Sequence, residues 1–360
     1  MAETVRVLVV GLGHMGASHA SAYHRNPGYE VVGLMSRSIK EKAIPDELNS
    51  YPLYEDFDLA LAETRPDAVS INSWPNSHAE YAIKAMDAGA HVFMEKPLAT
   101  SVADAEAVVA VARAKNTKLV LGYILRVHPS WIKFIELGRT LGKPLVMRLN
   151  LNQQSNGSAW MWHKNLIDSL IPIVDCGVHY VDVMCQLTGA KPVRVHGIGA
   201  ALWEDAAKPN YGHLHVTFDD GSVGWYEAGW GPMMSEVAYF VKDVIGPKGA
   251  VSIVPDPTAV RAERSVSDSA DIDRHTKTDA IQYHFADVGP DKSFLRRDEI
   301  LRMNDEPNHQ ELCDREQAFF LKAILEDLDL SNSMNAAVDS LKIVLAAEQS
   351  IKEKRAVELD

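Results

Sequence analysis

Hydrophobic positions in the first third of the chain follow two alternating spacings. Apolar runs rich in β-branched residues occupy Val5–Val10, Glu30–Met35, Asp67–Asn72, His91–Lys96 and Lys118–Tyr123. Helical segments such as Ala79–Ala88 and Val102–Ala114 lie between them. In the latter, Val102, Ala105, Val108, Val109 and Ala112 recur every three or four residues and form one apolar face. Strands that are apolar throughout and separated by helices predict a parallel sheet covered on both faces, a doubly wound α/β arrangement.

The rhythm changes after about Leu125. Leu145–Asn152 and His213–Phe218 alternate like half-buried strands, and Asp220-Gly221 between two such runs predicts a hairpin turn. One helical stretch, Ile173–Leu187, interrupts these strands. The segment from about His309 to Arg355 reads as two helices with a turn at Leu330–Ser333, and the polar segment Ala262–Lys277 reads as an exposed loop or hairpin. The expected organisation is a dinucleotide-binding domain over residues 1–124 and a substrate-binding and oligomerisation α/β domain over 125–360, with the C-terminal helices at about 309–355.

Composition narrows the functional class. With 46% hydrophobic and 24% charged residues the chain can bury two cores, and its net charge of −13 argues against nucleic-acid or anionic-membrane partners. No apolar run approaches the roughly 18 residues of a membrane span. The first residues lack a signal peptide's pattern. Cys176, Cys185 and Cys313 have no paired or CxxC spacing, which suits the reducing cytoplasm. The 14 histidines include no HExxH pair and no zinc spacing with the cysteines, so no metal is expected. The absence of a G-x-S-x-G elbow disfavours a serine hydrolase.

Candidate chemistry begins at Gly11-Leu12-Gly13-His14-Met15-Gly16, which follows the first strand and opens a helix. Gly11 allows the tight turn, Gly13 lets the backbone approach a pyrophosphate, and Gly16 lets helix and strand pack closely. The helix N-terminus then offers N–H groups to the anion. Twenty residues on, the second strand ends in Ser36-Arg37-Ser38 with Lys40 nearby and without a carboxylate. Hydroxyls flanking a guanidinium suit a 2′-phosphate, so NADP is favoured over NAD; Arg37 stacked on adenine would accept either.

Glu95-Lys96-Pro97 closes the fourth predicted strand, at the edge where open α/β sheets bind ligands. A lysine there can stabilise an alkoxide that develops on a substrate. In the second domain, Asp175 and His179 stand four residues apart in the predicted helix and share a face. His179 suits exchange of a proton with an alcohol, with Asp175 orienting the substrate or the imidazole. Tyr123 and Arg126 either border cofactor and substrate or link the domains. Trp160, Trp162 and His163 either present aromatic faces to a sugar or pack internally. Trp225 and Trp230 read as sheet packing or an oligomer contact.

Taken together, Gly11–Gly16, Trp74-Pro75-Asn76-Ser77-His78, Glu95-Lys96-Pro97 and Asp175 with His179 resemble the glucose–fructose oxidoreductase / inositol dehydrogenase / rhizopine-catabolism family (Gfo/Idh/MocA) in order and spacing over essentially the whole chain. The resemblance implies a Rossmann domain followed by an α/β domain with a large open, mainly antiparallel sheet. It implies reversible oxidation of a sugar or cyclitol secondary alcohol, and homodimers or homotetramers. Carried over, Lys96 is the catalytic lysine, His179 the proton acceptor and Asp175 their helper. Trp74, Asn76, His78 and Glu95 lie with Lys96 on the cofactor side, Trp74 standing where many relatives carry Thr. The expected reaction is hydride transfer between a carbohydrate or polyol and NADP or NAD, with Lys96 and His179 serving one alcohol oxygen. Two rival classes use the same glycine loop. One is a nucleotide-dependent glycoside hydrolase acting through transient oxidation, and the other is a non-enzymatic nucleotide sensor, which has no use for Lys96, Asp175 and His179 together.

Overall fold

The computed structural model describes residues 4–41, 43–203, 208–234, 241–255, 276, 278–304 and 306–359. Backbone contacts divide the chain into two compact units, residues 1–127 with 307–338 and residues 128–306 with 339–360.

The first unit is built on strands β1 (Val5–Val10), β2 (Tyr29–Met35), β3 (Leu53–Tyr54), β4 (Ala68–Ile71), β5 (His91–Met94) and β6 (Leu119–Leu121). They pair in parallel in the order β3-β2-β1-β4-β5-β6. The order reverses between β1 and β4, which opens a crevice beyond their carboxyl ends. Val7 to Val10 and all of β4 are buried, as strands covered on both faces must be. Between the strands run α1 (His14–Arg25), α2 (Phe57–Thr64), α3 (His78–Asp87) and α4 (Val102–Lys115). Helix α4 is delimited as its sequence suggests: Ser101 accepts the Asp104 N–H at the start, and Asn116 closes the end at φ +52°.

Strands β4, β5 and β6 end earlier than their apolar runs. β5 stops at Met94 because the Lys96 N–H turns to the Glu95 carboxylate and Pro97 has no N–H for a ladder. The short strand β3, invisible in the periodicity, pairs with the end of β2. The sequence pattern places the C-terminal helices in the second domain, yet α9 (His309–Leu325) lies in the first unit. Its Phe320 is fully buried 6.1 Å from the ring of Phe93 and joins the cluster of Val5, Val7, Tyr29 and Leu34.

The second unit carries α5 (Pro129–Arg139), β7 (Val146–Gln154), α6 (Gly157–Ile167), α7 (Pro172–Asp175), α8 (Gly177–Thr188), β8 (Pro192–Ala200), β9 (Tyr211–Phe218) and β10 (Val223–Gly231). It continues through β11 (Lys242–Gly246), β12 (Gly249–Val254), β13 (Ala280–Phe285), β14 (Glu299–Arg302) and β15 (Val357–Glu358). These strands form one sheet in the order β14-β13-β12-β11-β7-β10-β9-β8-β15, antiparallel except for β7 with β10. The hairpin at Asp220-Gly221 forms as expected, with Gly221 at φ +82°. Tyr226 and Trp230 of β10 are buried on the helical side, where Tyr180 of α8 stacks on Tyr226 at 5.1 Å and Trp131 of α5 meets Tyr180 edge-on. Trp225 is half-exposed on the other face. The last helix, α10 (Ser331–Glu353), begins at Ser331, so the break between the C-terminal helices precedes the expected turn. The segment 262–277, read as a loop, lies outside the described residues apart from Thr276. No helix among the described residues is long and apolar enough to cross a membrane.

Glu316 of α9 is 2% exposed, and neither carboxylate oxygen has a hydrogen-bond partner among the described residues. Burial, reinforced by the charge of Glu95, pushes its pKa well above the ordinary 4.5, so the residue is a neutral acid in the fold. The unfolded chain releases that proton above pH 4.5 while the folded chain must retain it. Stability from this group is therefore complete below 4.5 and declines as pH rises.

Two outcomes follow for this unit. Phe320→Ala costs about 3–5 kcal/mol of unfolding free energy by urea denaturation; unchanged stability contradicts the placement of α9 in the core. Glu316→Gln gains stability relative to the wild type between pH 5 and pH 8. An equal difference at both values contradicts the neutral acid.

Candidate active site

The carboxyl ends of β1, β4 and β5 are tied together by backbone hydrogen bonds. Asn72 N–H donates to the Val10 carbonyl and Glu95 N–H to the Ile71 carbonyl. Gly11 sits at φ +87°, and a Cβ there would lie 2.5 Å from the Asn72 backbone. A Cβ on Gly16 would fall 1.7 Å from the Gly11 carbonyl oxygen. Both positions therefore require glycine for packing. Gly13 differs: it is exposed, a Cβ there would meet nothing within 4 Å, and as N-cap of α1 it provides no side-chain cap. The first N–H groups of α1 are thus left open beside free space, an arrangement that fits a pyrophosphate. His14 is exposed and Met15 half-buried on this first turn.

At the end of β2, Ser36 is buried with its N–H on the Tyr54 carbonyl, while Arg37 is exposed and has no ion-pair partner among the described residues. Lys40 is paired with Glu55 at 2.7 Å. The carboxylate missing from β2 is therefore supplied next to β3, and it takes up the Lys40 charge. Among the described residues of this strand end, Arg37 is the cation left without an ion pair.

The turn after β4 presents Trp74, 52% exposed, and Asn76, also exposed. His78 is 0% exposed, with Nδ1 2.8 Å from the Pro97 carbonyl and Nε2 2.9 Å from the Ser73 carbonyl. Burial lowers its pKa despite those carbonyls, so the ring is neutral at pH 7 and donates to one of them at a time. It fastens the turn to Pro97 instead of offering itself to a ligand. Glu95 is likewise buried: one oxygen lies 2.8 Å from His19 Nε2 and the other accepts the Lys96 N–H at 3.1 Å. Lys96 is half-buried just past the strand end. Tyr123 is 2% exposed after β6, and Arg126 lies over its ring at 5.7 Å and donates to Ser333 at 3.1 Å.

His19 and Gln317 escaped the sequence reading. Gln317 of α9 lies 2.8 Å from His19 Nδ1, 298 positions away in sequence. The spacing of His19 three residues beyond Gly16 is a local signal; Gln317 has none. Among the described residues, His19, Cys313 and Glu316 have ligand atoms within 4.8 Å of one another. Both ring nitrogens of His19 already face Glu95 and Gln317, so a metal there would have to break one of these contacts.

In the second unit the single helix expected over 173–187 is two helices that meet at Cys176. The His179 N–H reaches the Cys176 carbonyl rather than that of Asp175. Asp175 therefore ends α7 while His179 lies in the first turn of α8, and their shared face does not follow from one continuous helix. Both are half-buried. The break accommodates close packing at Gly177, where a Cβ would come within 3.0 Å of Val344. Trp160, Trp162 and His163 lie on helix α6. His163 is 2% exposed and stacks on Trp230 at 4.4 Å, and Trp160 is buried edge-on to Trp203. Trp162, 55% exposed, is the member of this group whose face is open.

Known proteins share this architecture. Residues 5–123 match the oxidoreductase family with an NAD-binding Rossmann fold, GFO/IDH/MocA, and residues 135–252 match the GFO/IDH/MocA C-terminal domain. A UDP-N-acetylglucosamine 3-dehydrogenase of Acidithiobacillus ferrooxidans is 30% identical over 61% of this chain and 65% of its own length. A scyllo-inositol 2-dehydrogenase (NAD(+)) of Bacillus subtilis is 28% identical over 70% of this chain and 75% of its own. The crystal structure of scyllo-inositol dehydrogenase from Lactobacillus casei with bound NAD(H) and scyllo-inositol superposes with a TM-score of 0.73 at 21% identity, covering 99% of both chains. With both of its domains matched, and with glycine loop, strand ends and mixed sheet arranged as described, the chain belongs to the GFO/IDH/MocA oxidoreductase family.

Proposed function

We propose that this protein is a dehydrogenase that oxidises a secondary alcohol of a sugar or cyclitol with NADP in preference to NAD. The observation that carries this reading is Lys96 just beyond β5, in the same unit as an open glycine loop whose backbone fits a dinucleotide pyrophosphate. Membership of an oxidoreductase family and relatives that are 3-dehydrogenases and inositol dehydrogenases support the reaction class. The nicotinamide, when bound, supplies the hydride acceptor. Lys96 donates a charge-assisted hydrogen bond to the substrate oxygen and stabilises the alkoxide as the proton leaves. His179 accepts that proton, and Asp175 orients the ring or the substrate. Gly11–Gly16 hold the pyrophosphate, with Trp74 and Asn76 on the exposed turn beside them. Trp162 offers a face to a sugar's C–H edge.

The preference for NADP rests on Arg37, whose charge no carboxylate among the described residues takes up, unlike that of Lys40. Three buried cysteines with neither paired nor CxxC spacing suit a reducing compartment, the cytoplasm. Assembly into two or four copies is supported by Val146, Val223 and Ile245, exposed register neighbours on β7, β10 and β11.

The substrate panel comprises inositols, methyl glucosides and UDP-N-acetylhexosamines, run separately with NADP and NAD at the reduced-nicotinamide absorbance band. Lys96→Ala and His179→Ala each lower kcat by about 10²–10³-fold and leave cofactor affinity nearly unchanged. Full turnover in either variant rejects the role given to that side chain. Arg37→Ala raises the KM for NADP by about 10–100-fold with little effect on NAD; equal changes for both cofactors contradict the phosphate contact.

A further inference from the structure

The environment of Glu95 dictates a single direction of hydrogen bonding. An ionised carboxylate only accepts, so His19 Nε2 carries the proton at its 2.8 Å contact. His19 Nδ1 is then an acceptor, which matches the Gln317 amide nitrogen 2.8 Å away. The second Glu95 oxygen receives the Lys96 N–H at 3.1 Å. On the far side, a Cβ on Gly122 would lie 3.1 Å from the carboxyl carbon, so the group sits closely against backbone. Gln317 is itself held, since its main-chain carbonyl accepts the Tyr29 hydroxyl at 2.9 Å and the residue is 0% exposed. A chain of hydrogen bonds thus runs from α9 through α1 to the Glu95 carboxylate, which the Lys96 N–H meets from the other side.

We propose that His19, oriented by Gln317, is a positioning residue for the reaction: it pins the Glu95 carboxylate onto the Lys96 peptide and so fixes where the Lys96 ammonium starts. The proposal rests on the reading of Lys96 as the alkoxide partner. Neither His19 nor Gln317 touches substrate in this role. Without His19 the carboxylate loses a buried donor and its hold on the Lys96 N–H loosens, and displacing a catalytic group by about 1 Å costs on the order of 10²-fold in rate.

The test compares His19→Ala, His19→Gln, Gln317→Leu and Lys96→Ala in the full-length protein, with the fastest alcohol of the panel above. A glutamine at position 19 can place an amide N–H where Nε2 stood. His19→Ala is expected to lower kcat by about 10–100-fold with cofactor dissociation constant and alcohol KM within twofold. His19→Gln recovers most of that loss. Gln317→Leu, which keeps the imidazole, lowers kcat by about 3–10-fold and covers the case in which His19→Ala does not fold. Hydrogen exchange of a peptide spanning residues 91–96 reports the same ranking without turnover: fast in His19→Ala and protected in His19→Gln. A His19→Ala enzyme within twofold of wild-type kcat overturns the proposal, as does equal impairment of the alanine and glutamine variants. If Lys96→Ala itself turns over at the wild-type rate, the reading of Lys96 falls and this inference with it. An inactive Lys96→Ala beside a fully active His19→Ala removes the inference alone.

Discussion

A carboxylate shut away from water must be paired, and the pairing of Glu95 organises the end of the parallel sheet in the first unit. Leaving a buried charge without partners costs several kcal/mol, while each hydrogen bond to it contributes about 1.5–3 kcal/mol. Two donors that meet this demand, His19 Nε2 and the Lys96 N–H, come from α1 and from the residue proposed to carry the chemistry. Strand β5 stops where it does because the Lys96 N–H serves the carboxylate instead of the ladder. The C-terminal helix α9 enters the same unit with Gln317 against His19 and Phe320 against Phe93. One polar constraint thus links strand end, glycine-loop helix and C-terminal helix.

A second acid in the same region meets its desolvation differently. Glu316 has no donor and stays protonated, as does the Cys313 thiol, which burial pushes up. The contrast shows what Glu95 gains from its neighbours. It has a donor within hydrogen-bond distance of each oxygen at the strand end.

Much of this was legible before any coordinates. Buried parallel strands announce themselves as unbroken apolar runs, so β1 was predicted to the residue and β2, β4, β5 and β6 to within two at either end. The glycine loop was legible because its requirements are local: positive φ at Gly11 and contact with backbone at Gly16 exclude any side chain. Features that depend on long-range contact were not. Gln317 meets His19 across 298 positions, and Glu55 reaches Lys40 only because two-residue β3 pairs with β2. The break at Cys176 was hidden because residues 173–187 keep helical spacing on both sides of it, whereas its cause is tertiary packing at Gly177. His78 looks like a cofactor-side residue in sequence, yet its ring is buried on backbone carbonyls, and of the two readings open for His163 the structure takes packing, on Trp230.

The central claim is that Lys96 delivers its ammonium to the reacting oxygen from the fixed end of β5. The most direct measurement is a crystal structure of the full-length chain with oxidised cofactor and its best alcohol substrate bound. Lys96 Nζ is expected at about 2.7–3.2 Å from the hydroxyl to be oxidised, with the Glu95 carboxylate still on the Lys96 N–H. A lysine side chain turned away from that hydroxyl, with another donor in its place, would contradict it.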